Sequence, residues 1–378
     1  MTTYAASRPS LMSRALVLRF GSILGSGIGF YLPLAVVPAY AGSVASGGLA
    51  TGVLLFATVL AEMVTPRLTV ALGYRWTLAV GLFLLGAPAF VLAAYDGTAV
   101  ILAVSAVRGI GFAISVVAGG ALTAALIPAE RRGEGLAMVG LVAGVPGLVA
   151  MPLGVLAAER WGYAAVFVAT ALAPLVALVT IPGLPKREAE GAKDHGLVVG
   201  LRNPALTRPA TLFALCATAA GVLVTFLPLV LTGPLTWVVA VALFVQPAMS
   251  TAARWFAGQY GDRRGQGGLL VPGAVLCVVG VAALAAVHTP AAVIAGAAVF
   301  GAGFGVLQNA TLALMYHRVP AAGYSAVSAI WNAAFDLGMA VGATLTGVLL
   351  AGLGPELTIA CTVLVMLPAL RLASRDRG

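Results

Sequence analysis

Five ionisable side chains interrupt long apolar runs of this 378-residue chain: Arg19, Glu62, Arg108, Arg254 and Asp336. A charge in such a setting is costly, so it pairs, faces a polar cavity, or does both. If 324–351 is helical, Ser325, Ser328, Asn332 and Asp336 recur at spacings of three and four and share one face. Asp336 then points inward near the middle of its span. A buried carboxyl group is the simplest proton carrier, because its surroundings can favour one protonation state and then the other. The alternative is a permanently charged Asp336, held by Asn332 or by an arginine, that locks helices together.

Other polar stripes follow the same helical spacing. Arg19, Ser22, Ser26 and Gly29 share a face in the first apolar run, and Thr51, Thr58, Glu62 and Thr65 share one in the second. Arg19 lies about one turn from the end of its span, which favours snorkelling over contact with a ligand. Arg108 falls on a face with Ser105, Phe112 and Ser115. Gln308 and Asn309 interrupt a later run, where they either hydrogen-bond a solute or join helix to helix. Cys216, Cys277 and Cys361 sit far apart in sequence without CxxC or Cys/His spacing, so neither a metal site nor a disulfide framework is expected, and no cofactor. HExxH, GxSxG and a close carboxylate pair within the spans are all missing, which disfavours an intramembrane enzyme.

These residues need long apolar helices to position them, and the composition supplies them. Hydrophobic residues make up 61% of the chain and charged ones only 9%, with a mean hydropathy of +1.05. A soluble globular protein carries charge on about a quarter of its residues. A transmembrane barrel would alternate over about ten residues, whereas these apolar stretches are continuous. The expected class is an all-α membrane protein with twelve spans, near 16–39, 46–66, 76–94, 98–126, 135–158, 163–182, 207–231, 235–257, 268–287, 291–316, 324–351 and 355–370.

With the N-terminus inside, seventeen Arg and Lys residues fall on inner segments and span ends, and only Arg160 on an outer loop. That asymmetry orients both termini toward the cytoplasm, so the net charge of +9 reports topology rather than a nucleic-acid partner. Trp76, Trp161, Trp237 and Trp255 lie near span ends, as an interfacial aromatic belt does. Residues 1–13 are short and polar before a span too long for a signal peptide's apolar core, so no cleaved signal is expected. The longest hydrophilic stretch, Gly183–Pro209, divides the spans six and six. The expected organisation is an N-terminal bundle over 1–182, a cytoplasmic linker over 183–206 and a C-terminal bundle over 207–378.

A shift of 192 residues aligns the halves without gaps. Gly109, Gly111 and Phe112 fall on Gly301, Gly303 and Phe304; Pro128 and Ala129 on Pro320 and Ala321; Gly73 on Gly265. Repeats of six helices are parallel, related by an axis along the membrane normal. The same shift puts Glu62 on Arg254, opposite charges that either pair to close the cytoplasmic side or stand apart, with Arg254 snorkelling and Glu62 interfacial.

With these features the chain resembles the major facilitator superfamily over essentially its full length. The family's GxxxDRxG loop signature appears after the eighth span as Gly258-Gln-Tyr-Gly-Asp262-Arg263-Arg264-Gly265. After the second span it is degraded, with Val70 where the acid belongs. The fourth-span signature reads Arg108-Gly109-Ile110-Gly111-Phe112, and the fifth-span antiporter signature is only echoed from Gly147 to Gly154. The resemblance implies alternating access between two bundles of a multi-pass protein in a bacterial inner (plasma) membrane.

Expected roles are proton coupling by Asp336 and Glu62; a substrate cavity drawing on Arg108, Asn332, Gln308, Asn309, Phe304, Ser26 and Arg19; and a cytoplasmic gate of Gly258, Asp262, Arg263, Gly265 and Arg254. The resemblance gives Arg108 the part of attracting an anionic substrate group or modulating a proton site. The gate's glycines allow a tight turn. Few charges and many aliphatic walls suit a small amphipathic compound, exported in exchange for protons by a monomer surrounded by lipid. Uptake or facilitated diffusion of a metabolite is the alternative within this class, and a non-transporting receptor the alternative outside it.

Overall fold

The computed structural model describes residues 12–127, 132–186, 202–319 and 324–376, and among these every regular element is helical. The longer helices are α1 (Arg14–Leu34), α2 (Val44–Gly86), α3 (Thr98–Leu126), α4 (Arg132–Trp161), α5 (Tyr163–Ala177), α6 (Pro204–Val230), α7 (Thr236–Arg264), α8 (Leu270–Ala283), α9 (Pro290–His317), α10 (Tyr324–Leu353) and α11 (Pro355–Arg375). Among the described residues ten helical stretches are long and apolar enough to cross a membrane, and Gly267–Ala283 forms a shorter apolar one. Helix starts follow local chemistry. The Ser13 hydroxyl accepts from the Leu16 amide at 3.2 Å and Ser43 from the Ser46 amide at 3.1 Å, while Asn203 accepts from Ala205 with proline next in sequence.

Two expectations from sequence change here. The second and third spans are separated by a single residue and not by a longer loop: within α2 (Val44–Gly86) one helix reaches 72 and another starts at 74, and Gly73 between them is non-helical, with φ 73° and ψ 162°. Likewise the GxxxDRxG signature is not a loop turn. Its first seven residues complete the last turns of α7, and only Gly265, at φ 86°, reverses the chain. Both reversals use the left-handed backbone that glycine reaches without a Cβ clash.

The repeat is geometric as well as textual. Gly73 and Gly265 lie 192 positions apart with the same left-handed φ, as do Gly162 and Gly354. A Cβ on Gly109 would strike the Leu54 carbonyl, and one on Gly301 the Gln246 carbonyl, at the same offset. Gly111 faces the Gly81 carbonyl and Leu85 amide just as Gly303 faces those of Gly273 and Cys277. Small residues let these helix backbones touch, as packing inside a bilayer requires.

Contacts between the halves use the same device. Gly48 of α2 meets Ala343 and Gly347 of α10, Gly52 meets Thr344, and α4 also packs on α7. This glycine contact lies toward the end where the Tyr40 hydroxyl donates to the Leu92 carbonyl at 2.8 Å. Burial and nearby Asp96 hold that phenol above its ordinary value, so Tyr40 stays a donor. At the opposite end Arg318 donates to Asp376 at 2.8 Å and to the Ala205 carbonyl at 2.9 Å, tying α9, α11 and α6. The largest cluster of buried apolar side chains runs through both halves.

Candidate functional site

Where α2 and α10 continue past their glycine contact, Glu62 and Asp336 meet. Their carboxyl groups come within hydrogen-bonding reach of each other. Asp336 is 9% exposed and Glu62 half-buried. Tyr31 of α1 stands near enough to feel the charge of Asp336, and its ring is the nearest side chain to Gly147 of α4. Two ionised carboxylates at such an approach repel strongly, whereas one proton between them lets an O–H donate to the facing oxygen. Arg19 and Arg108 pair with neither acid, being engaged elsewhere. The sequence offered no close carboxylate pair; the fold makes one from residues 274 positions apart. Tyr31 was not legible as a member of the group, because only tertiary packing brings it there.

The buried arginines are spoken for by backbone. Arg108, 1% exposed, donates to the Gly29 carbonyl of α1 at 2.5 Å and to the Leu85 carbonyl of α2 at 3.2 Å. Arg19 does not snorkel. It is 4% exposed and donates to the Gly119 carbonyl at 3.2 Å, Thr123 at 3.1 Å, Ser22 at 2.6 Å and the Ser115 carbonyl. Gly119 makes room for it, since a Cβ there would occupy the guanidinium's place. Both arginines therefore act as clamps between α3 and its neighbours. A buried guanidinium finds enough acceptors when several helices turn carbonyls toward it.

Other candidates have structural partners too. Gln308 accepts from the Ser250 hydroxyl at 3.1 Å and Asn309 donates to Gln266 at 3.4 Å, so both join elements within the second half. Ser26 donates to the Ile23 carbonyl at 3.0 Å. Phe304 packs at 5.4 Å from both Phe213 and Phe300 in a buried stack that also holds Trp331 and Phe335. Asn332, one turn from Asp336 on the same face, is exposed.

Arg254 is exposed, and among the described residues Glu62 has Asp336 and not Arg254 as its partner. Gly258 lies beside the Asn309 amide, Gly265 makes the turn described above, and Arg263 is exposed. The side chains of Asp262, Arg264 and Ser325 lie outside the described residues, as do residues 128–131, 187–201 and 320–323. Cys216 and Cys277, far apart in sequence, meet each other across α6 and α8.

The Major Facilitator Superfamily profile matches residues 15–343. The chain belongs to the major facilitator superfamily. Its fold recurs in the crystal structure of a mutant POT peptide transporter in complex with alafosfalin, at 14% identity and a TM-score of 0.73, covering 96% of this chain and 95% of that one. It recurs also in an auto-inhibited POT family peptide transporter at 11% identity and a TM-score of 0.79, covering 96% of each chain. At these identities the likeness is one of fold. Among curated proteins no significant match is found. Membership makes this a multi-pass transporter family protein, and peptide transporters are among the proteins that share its fold.

Proposed function

We propose that this superfamily member is a secondary active transporter that exports a small amphipathic compound in exchange for protons, with Glu62 and Asp336 as the proton-carrying pair. The observation that carries the reading is the meeting of the two carboxyl groups on helices from different halves of the chain. A proton held between them favours α2 against α10; its loss leaves two charges that push the helices apart. Occupancy by a proton is thus linked to the packing of one half on the other, which is the requirement for coupling in alternating access.

The same reading counts twelve spans. The stretch Val44–Leu92 holds 49 residues, about 74 Å of helix against a hydrocarbon core of about 30 Å, so its break at Gly73 makes two spans. Gly267–Ala283 supplies the twelfth. Six spans then form each bundle, over 1–182 and 207–378, with both termini in the cytoplasm of a bacterial cell, and the transporter acts as a monomer. Asn332 stands exposed between Asp336 and the cytoplasmic start of α10, in keeping with a seam open on that side.

Arg19 and Arg108 donate to backbone carbonyls and not to a solute, which supports an amphipathic cargo over an anionic one. Uptake or facilitated diffusion of a small metabolite is the second reading, and the structural neighbours named as peptide transporters make a peptide-like solute its first candidate. A thermal-shift screen of drugs, lipids and metabolites selects the compound, and its flux is then measured in proteoliposomes under an imposed pH gradient. Export in exchange for protons predicts flux against the proton gradient's direction, and Asp336→Asn retains substrate exchange at equal pH while losing the response to the gradient. Flux indifferent to the gradient would remove the proton from the mechanism.

A further inference from the structure

A groove outside the seam has the chemistry of a lipid site. Helices α4 and α5 are joined by Gly162 alone and run back beside each other, yet each packs more extensively on α1 than on the other. Gly154 brings α4 onto the Leu32 carbonyl, while Gly25 and Gly29 of α1 receive Ala173, Pro174 and Ala177 of α5 and its end. Between them remains a cavity of about 810 Å³, floored by Leu32 and walled by Leu153 and Leu156 on one side and Val166 on the other. That volume lies within the range of about 300–1,000 Å³ of ligand sites.

The groove is polar at one end only. Glu159 and Arg160, in the last turn of α4, line its mouth beside Trp161, which is 73% exposed. Neither charge has a protein partner among the described residues. From Leu153 to Arg160 the helix rises about 10 Å, most of the depth of one leaflet, which is about 15 Å. A Trp at the charged end is where a bilayer's interface puts one. The site therefore offers an acyl-length apolar channel under adjacent positive and negative charges.

We propose that this groove binds one zwitterionic phospholipid of the phosphoethanolamine type, its phosphate on Arg160, its ammonium on Glu159 and an acyl chain along Leu153 and Leu156. A purely anionic headgroup would meet Glu159 as a like charge, and a quaternary ammonium would donate no hydrogen bond to it. The inference depends on the membrane setting and not on proton coupling, so either can fail without the other.

The test is native mass spectrometry of the full chain with phosphatidylethanolamine, phosphatidylcholine or phosphatidylglycerol at matched concentrations. One bound phosphatidylethanolamine is expected to be retained about tenfold more than the other two lipids. Arg160→Gln is expected to lower that retention about tenfold, and Glu159→Gln to bring phosphatidylglycerol level with it. Ala157→Trp fills the groove from its rim and abolishes retention, and an unchanged elution profile and melting temperature show that this variant folds. Equal retention of the three lipids, or undiminished phosphatidylethanolamine on a folded Ala157→Trp variant, would overturn the proposal.

Discussion

At the scale of single residues, the buried charges divide into arginines held by backbone and the two carboxyl groups proposed to carry a proton. Arg108 and Arg19 spend their donors on carbonyl groups of neighbouring helices, so replacing them removes anchorage. Each hydrogen bond to a charged group contributes about 1.5–3 kcal/mol, and Arg108→Met leaves the Gly29 and Leu85 carbonyls without it. That variant is expected to lose several kcal/mol of stability, seen as a lowered melting temperature in detergent; unchanged melting would contradict the clamp. Asp336→Asn should behave oppositely, keeping its shape and a hydrogen-bond donor toward Glu62 and so melting close to the wild type. The face that carries Asp336 was legible, because spacings of three and four need only one helix. The arginines' partners were not. Their acceptors are main-chain oxygens of other helices, which no side-chain pattern announces, and for the same reason Arg19 read as a snorkelling residue.

At the scale of elements, glycine decides how closely helices approach and where they turn. Gly48 and Gly347 allow α2 and α10 to touch, and that contact sets the register in which Glu62 and Asp336 meet. Overpacking costs about 1–3 kcal/mol. Gly347→Leu is therefore expected to part the helices, leave a folded protein and cut gradient-driven transport sharply; full activity would mean that this contact does not position the pair. Gly265→Val should destabilise the α7–α8 turn by about 1–2 kcal/mol through its left-handed backbone, measured as a fall in melting temperature. Helix existence and the 192-residue repeat were legible from apolar runs and glycine spacing. The continuity of α2 through 66–72 was not, since Pro66, Arg67 and Tyr74-Arg75 resemble loop punctuation while the backbone bends only at Gly73.

At the scale of the whole molecule, the account joins a duplicated helical unit to one shared carboxyl site between its copies. If the seam opens toward the cytoplasm, a cysteine at Asn332 in a background lacking the three native cysteines will react with a membrane-impermeant thiol reagent from the inner side of oriented vesicles and not from the outer side. Labelling from the outer side alone would reverse the orientation. The central claim is that Glu62 and Asp336 hold one proton between them. Infrared difference spectroscopy across a pH titration reads that proton through the C=O stretch of the protonated carboxyl, with no substrate needed. The account predicts one titrating band, displaced in Glu62→Gln and in Asp336→Asn alike because the remaining carboxyl group loses its partner, and lost in the double variant. Two independent bands, each removed by its own substitution while the other stays in place, would contradict it.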